Sequence, residues 1–407
     1  MIDMKTIRDE PSRIRTELKA RGSSLKIDDL VAADQERREL QQRFDELRAK
    51  QKETRDPVAG ATIKRDLAEI ETQQREVSAR FEVLYLQLPN FRHESAPVGP
   101  DESGNVVTKT VGKKPDIQGA KPHFDIPAIA PLIDFERGAK VSGSRFWYLK
   151  GALVHLEFAL IRYVLDFYGA KGFLPMRPPT IVGEDAMRGT GFFPADANEI
   201  YVVSDPDDSA KRKFLSGTAE VPLASYHSGE NLDAGSLPIR YIGFAPAYRR
   251  EAGSYGKDTK GILRGHEFDK LELFIFSKPE SSWDAHEELQ AAAEEFWTSL
   301  GIPFQVVNIC TGDLGAPNAK KYDIEAWLPG EGAYREVGSN SNDTDFQARR
   351  LRIKSGGEYV HTLNNTACAI GRAIIAIVEN YQQQDGSVDM PEVLKPYLPF
   401  SSITKEK

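Results

Sequence analysis

Apolar side chains recur at alternating steps of four and three along one stretch: Ile63, Leu67, Ile70, Val77, Phe81, Leu84 and Leu88, with Gln74 in the one polar seam position. That period predicts a helix with a single buried stripe, held for almost four heptads. Ala33, Arg37, Leu40, Phe44 and Leu47 carry the same alternation earlier in the chain. Between the two runs, Pro57 and Gly60 within Arg55–Gly60 break a helix and permit a tight reversal. The pattern predicts an antiparallel helical hairpin over residues 27–88, each helix about 27 residues and ~40 Å long. A dimerisation coiled coil has the same periodicity, but the Pro-Gly break favours a chain that folds back on itself.

The pattern then changes. Prolines and glycines punctuate residues 89–125, with a hairpin expected around Asp101–Asn105. From residue 126 the chain reads as mixed. An amphipathic helix is expected over Gly151–Tyr168, and further helices over Ser282–Leu300 and Thr366–Gln384. Short alternating segments predict strands at Tyr201–Val203, Ile239–Phe244, Glu267–Phe276 and Phe304–Val307. Many short strands with segregated helices give an α+β fold on an antiparallel sheet. The expected organisation is an N-terminal unit over 1–100 containing the hairpin, a connector over 101–125, a main domain over 126–400 and a disordered tail over 401–407. No internal repeat is visible.

Composition narrows the class. At 407 residues, with 40% hydrophobic and 28% charged side chains, the chain supports more than one packed unit. No apolar run approaches the ~20 residues of a membrane span. The first residues lack the basic-then-apolar pattern of a signal peptide. The two cysteines, Cys310 and Cys368, are far apart, which argues against a disulfide framework or a cysteine-rich zinc site. A cytoplasmic location with no membrane partner is expected. The net charge of −8 does not exclude nucleic acid, because a large acidic protein can carry a local basic track. The hairpin itself holds 11 Lys/Arg against 14 Asp/Glu. Contact with phosphates would therefore come from selected side chains, with Arg43, Arg48, Lys64, Arg75 and Arg80 as candidates.

The densest chemistry lies at Phe244–Gly253, then a segment with Gly253, Gly256 and Gly261, then Arg264–Glu272. A strand ends in Arg249-Arg250-Glu251 and a second returns with Leu271, Leu273 and Ile275 on one face. Phe268, Lys270, Glu272 and Phe274 take the other. An arginine can bind phosphate bidentately and hold charge that develops on it. A surface hairpin with salt bridges would show some of these residues, but not all of them in this order. The stretch resembles motif 2 of class II aminoacyl-tRNA synthetases, in the form found in seryl-tRNA synthetases. Gly172–Pro179 resembles motif 1, Leu215–Leu223 the Thr-Ala-Glu segment, Arg335–Asn342 the ATP and metal strand, and His361–Arg372 motif 3. The likeness spans almost the whole chain, hairpin included, in the family's order.

The resemblance implies a class II catalytic domain that activates L-serine with ATP and transfers it to tRNA(Ser), with tRNA(Sec) as a further candidate acceptor. It implies that Arg249 bridges the α-phosphate and the serine carboxylate, and that Arg372 holds the distal phosphates. Arg250, Glu251, Gly265, Val337 and Gly338 complete the implied ATP site, with Glu251 near the adenine amino group. Glu336 and Ser339 would ligate Mg²⁺, hard oxygens for a hard cation. Thr218, Ala219 and Glu220 would meet the amino end of serine, and Glu272 and Thr366 its hydroxyl. The resemblance also implies a homodimer through Gly172–Pro179, and a hairpin that binds tRNA. Thr366 stands where many relatives have serine, and Gly338 where a second serine is common. Two rival functions are a paralogue that loads serine onto a carrier protein and a non-catalytic RNA-binding relative. Loss of the hairpin would mark the first, and loss of Arg249, Glu251, Glu336 or Arg372 the second. His266 beside Glu267 reads as a hydrogen-bonded strand histidine rather than a metal ligand.

Overall fold

A computed structural model describes residues 2–204, 212–252, 258 and 260–405. Two compact units divide at Phe91/Arg92.

In the first unit, two long helices, Ile27–Glu53 and Pro57–Leu86, form the hairpin. The seam read from the sequence is the buried one: Ala33, Leu40, Leu67, Ile70, Val77 and Phe81 face inward, and Leu88 is covered just beyond the last turn. The reversal is tighter than expected. Asp56 caps the second helix by accepting from Val58 N at 3.1 Å, and Pro57 sits at its first position, where a missing N–H costs nothing. Gly60 therefore falls inside the first turn of that helix rather than in the break. The five candidate phosphate-binding side chains are all exposed, with Arg80 paired to Glu36.

One buried charge of this unit is not among the residues singled out from the sequence, although Arg37 and Arg38 follow it at helical spacing. Asp34 is fully buried and takes Arg8 at 2.9 Å, Arg37 at 3.1 Å and Arg38 at 3.1 Å. Burial opposes its charge, but the hydrogen bonds from Arg8 and Arg37 prevail and hold the carboxyl below its usual range. A depressed folded-state value contributes stability at neutral pH that is lost as pH falls through the acid range. Asp34→Ala strands three cations around an apolar hole. It should lower the stability of this unit by about 2 kcal/mol, since the arginines keep partial access to water. Urea unfolding followed by circular dichroism checks this; a loss under about 0.5 kcal/mol would contradict it.

The second unit is built on an eight-stranded sheet. In chain order its strands are β1 (Val106–Val111), β2 (Leu174–Met176), β3 (Ile239–Tyr248), β4 (Glu267–Ser277), β5 (Phe304–Asn308), β6 (Lys320–Leu328), β7 (Ala333–Thr344) and β8 (His361–Ala369). Their spatial order is β1-β5-β6-β7-β8-β4-β3-β2, antiparallel throughout except for β2 beside β3. Alternation decides the faces: Leu271, Leu273 and Ile275 enter a core with Tyr168, Phe296 and Trp297 from helices Ala152–Gly169 and Ser282–Ser299. Helix Ile370–Asn380 packs on the same core through Ile374, Ile377 and Val378.

Several expectations need correction. The last helix begins at Ile370, not Thr366, because Thr366–Ala369 are the end of β8 and pair with β4. A single 3₁₀ turn, Glu102–Gly104, replaces the expected hairpin. The strand after it, β1, pairs with β5, so residues 101–125 are part of the sheet unit rather than a separate connector. Ser402–Ile403 pair with Val388–Asp389 and Ile403 is buried, so the tail is ordered to that point; residues 406–407 lie outside the described residues. The sequence pattern does not predict β6, whose charged positions mask its alternation. Gly253 and Gly256 of the motif 2 segment also lie outside the described residues.

Candidate active site

Five neighbouring strands, β6, β7, β8, β4 and β3, present one face to the site, and two irregularities make that face chemically useful. On β7, Gly338 pairs with Ile324 but Glu336 pairs with Glu325, leaving Val337 as a bulge. Without it, Glu336 and Ser339 would point to opposite faces; the extra residue restores them to one. Val337 itself is 1% exposed and joins the core, so any contact it makes outward is through its backbone. On β8 a second bulge at Ala367 sets Thr366 opposite Glu272.

Arg249, Glu251, Gly265 and Arg372 line a single cleft together with Phe268 and Arg264. Arg249 follows β3 directly, held where its backbone N donates to His266 O at 3.0 Å and its Nε to Gly217 O at 3.2 Å. Its guanidinium lies over Phe268, 5.5 Å from the ring centre. Arg372, in the first turn of helix Ile370–Asn380, donates to Glu336 O at 2.8 Å and stands 3.3 Å from its carboxylate. Burial works against ionisation of Glu336, but Arg372, Lys321 and Arg249 outweigh it and hold the carboxyl down to about 2. Two cations and one fixed anion therefore converge on one opening.

Glu251 is not free in the cleft. It adopts a φ of +51° and pairs with Arg264 at 2.6 Å. Arg250 is exposed, and its backbone N donates to Glu199 O. Gly265 has no room for a side chain, since a Cβ would meet the Trp147 ring at 2.2 Å. His266 donates from Nδ1 to Arg249 O, 3.0 Å away, a structural bond as expected.

Beside the cleft lies a buried polar pocket. Thr218, Glu220, Glu272 and Thr366 are all at most 9% exposed. Glu220 Oε1 accepts from Gln347 Nε2 at 2.7 Å, and Oε2 from Asn364 Nδ2 at 3.2 Å. The same Asn364 nitrogen reaches Glu272 Oε1 at 3.2 Å, and Lys270 Nζ is 2.5 Å from Glu272 Oε2. Thr218 Oγ1 accepts from Glu220 N. Ala219 is buried behind them. Desolvation, then Asp343 and Glu272, push Glu220 up to about 8, with Lys270 pulling the other way. The pocket is short of positive charge and suited to an ammonium.

Lys270, Gln347, Asn364, Arg264 and Phe268 were not assigned roles from the sequence. Period-two alternation could have found three of them: Phe268 and Lys270 share a face with Glu272, and Asn364 with Thr366. Gln347 reaches the pocket from the helix Phe346–Leu351, through a long-range contact that no local pattern encodes.

Among the described residues no group of three His, Cys, Asp or Glu side chains forms a metal cage. An ionised Glu336 and the Ser339 hydroxyl on one face offer two hard oxygens. That donor set suits a cation such as Mg²⁺, which takes most of its other ligands from phosphates and water. Cys310 and Cys368 are buried and unbridged. No helix among the described residues is long and apolar enough to cross a membrane.

Comparison with known proteins agrees with this architecture. Residues 1–62 match the seryl-tRNA synthetase N-terminal domain, and residues 201–381 the tRNA synthetase class II core domain (G, H, P, S and T). The chain is 41% identical to a serine–tRNA ligase of Thermodesulfovibrio yellowstonii, over 99% of its own length and all of the relative's. It is 43% identical to that of Streptomyces coelicolor, over 98% of this chain and 97% of that one. Among solved structures, the seryl-tRNA synthetase from Pyrococcus horikoshii complexed with ATP superposes with a TM-score of 0.91 at 40% identity, covering both chains fully. A cytoplasmic serine–tRNA ligase from Naegleria fowleri in complex with AMP gives 0.87 at 32% identity, over 98% of this chain and 96% of that one.

Proposed function

The chain belongs to the seryl-tRNA synthetase family and is a ligase that joins serine to tRNA; we propose that it does so in two steps at the cleft between Arg249 and Arg372. The observation that carries this reading is the convergence of both guanidiniums and the ionised Glu336 beside a buried pocket of paired carboxylates. ATP lies with its α-phosphate against Arg249 and its distal phosphates against Arg372. Phe268 offers an apolar face to the purine, Gly265 its backbone, and Glu251 its carboxylate to the amino group. Glu336 and Ser339 hold Mg²⁺, which when bound neutralises phosphate charge.

Serine sits in the acidic pocket, its ammonium at Thr218 and Glu220 and its hydroxyl at Glu272 and Thr366. In the first step a serine carboxylate oxygen attacks the α-phosphorus and the bond to pyrophosphate breaks. Arg249 touches both reactants and stabilises the charge that builds on the phosphoryl oxygens. In the second step the terminal adenosine hydroxyl of tRNA attacks the acyl carbon and AMP leaves. Hydroxyl readers that would be left unpaired by alanine supply the discrimination against it. The hairpin engages the tRNA. Leu174 on the edge strand β2 and Phe158 on helix Ala152–Gly169 are 60% and 66% exposed, an apolar surface that a second copy covers in a homodimer. A cytoplasmic location fits two unbridged thiols.

The state of Glu220 gives a pH signature. The groups facing it are Asp343, Glu272, Lys270, Gln347 and Asn364; burial, with Asp343 and Glu272, outweighs Lys270 and the Gln347 hydrogen bond and raises the carboxyl to about 8, so the protonated form prevails at neutral pH. An ammonium needs the carboxylate, so binding improves as pH rises towards 8. The KM for serine should fall by roughly tenfold between about pH 6.5 and 8.5, with the KM for ATP within about twofold. Glu220→Gln should flatten the limb. A pH-independent serine KM in the unmodified enzyme would remove Glu220 from this role.

A further inference from the structure

One buried pair lies outside the cleft and has no part in the steps above. His123 and Glu379 have side chains 2% and 0% exposed and stand 3.0 Å apart, Nδ1 to Oε1. Glu379 Oε1 also accepts from His123 N at 2.9 Å, and its Oε2 accepts from Gly330 N at 3.0 Å. The other ring nitrogen, Nε2, is 3.0 Å from the backbone N of Ile262. A backbone N–H can only donate, so Nε2 is a bare acceptor. The network thereby places the ring proton on Nδ1, donated to Glu379.

The location gives the pair a task. Ile262, Leu263, Arg264 and Gly265 line the cleft together with Ala369, Gly371 and Arg372, and the two segments approach each other where a Cβ on Gly371 would lie 3.6 Å from Ile262 O. Glu379 lies two turns along the helix that Arg372 opens. His123 is thus the link between the returning end of the Arg249–Gly265 segment and the helix that presents Arg372. Packing enforces the link. Gly261, at φ +77°, runs so close to the ring that a Cβ there would lie 2.2 Å from His123 Nε2.

We propose that His123, oriented by Glu379, is a positioning residue for the nucleotide: it fixes the spacing between the Ile262–Gly265 wall and Arg372. It touches no substrate. The inference rests on the reading that this cleft binds ATP, and it concerns ATP rather than serine, whose pocket is built on β4, β8 and the Thr218–Glu220 segment. Misplacing a wall by an ångström can cost as much as a hundredfold.

The test is a KM split with a binding measurement beside it. His123→Ala should raise the KM for ATP in serine-dependent ATP–pyrophosphate exchange by about tenfold and leave the KM for serine within about twofold. His123→Gln places an amide oxygen near the former Nε2 and should recover part of the loss. If the alanine variant does not fold, Gly261→Ala, which pushes the ring aside, supplies the second arm. Calorimetric titration with a non-hydrolysable ATP analogue should weaken in parallel. An unmodified enzyme that binds the analogue but shows no serine-dependent exchange would refute serine activation while the clamp is still read from analogue affinity. Unchanged ATP affinity in the folded variants, or equal losses for ATP and serine, would overturn the clamp and leave the serine reading standing.

Discussion

Arg249→Ala is expected to cut serine-dependent ATP–pyrophosphate exchange by about a thousandfold or more, with the thermal transition nearly unchanged. The guanidinium lies within the cleft, faces Phe268 and sits in the field of Glu336. On the proposed reading its removal deletes the positive charge closest to where negative charge develops. Its fold contribution is small by comparison: one hydrogen bond to Gly217 O and a partly exposed cation–aromatic contact. Lysine should rescue little, because a point charge cannot bridge two oxygens with fixed spacing. Activity within about tenfold of the unmodified enzyme would place the reacting phosphate elsewhere.

Deleting residues 30–85 should separate the two steps. All eight strands of the main sheet and the three helices on its core face lie after Phe91, and that unit has its own core. The hairpin buries its seam within itself and with the short N-terminal helices. Exchange should therefore stay within about threefold, whereas charging of serine tRNA should fall by more than about a hundredfold as the exposed arginines and lysines of the hairpin are lost. A parallel collapse of both would make the hairpin a stabiliser of the catalytic unit instead. Retained charging would take the tRNA contact away from it.

Periodicity made much of this fold legible. The hairpin seam and the two faces of β4 follow from which positions repeat, because burial of one face is the only way such a stripe is used. Element ends were less legible. Thr366–Ala369 have no local preference strong enough to resist pairing with β4, so a strand displaces the start of the expected helix. Gly60 reads as part of a break in the sequence, but Asp56 and Pro57 complete the reversal without it. β6 carries Lys320, Lys321, Asp323 and Glu325, charges that mask a strand whose inward residues are Ile324, Ala326 and Leu328. At the site, the motifs marked the residues that would touch ligands. They were silent on what holds those residues. The bulges at Val337 and Ala367, the amides of Gln347 and Asn364, and the reach of Arg8 to Asp34 depend on contacts between distant segments. No spacing along the chain records such contacts.

On the proposed reading one cleft brings a phosphate-binding pair of arginines next to a serine site, and amino-acid-dependent ATP–pyrophosphate exchange with each of the twenty amino acids in turn probes both at once. Serine alone should drive exchange above background, with alanine and threonine lower by about a hundredfold or more. Exchange driven equally well by another amino acid, or by none, would contradict that reading.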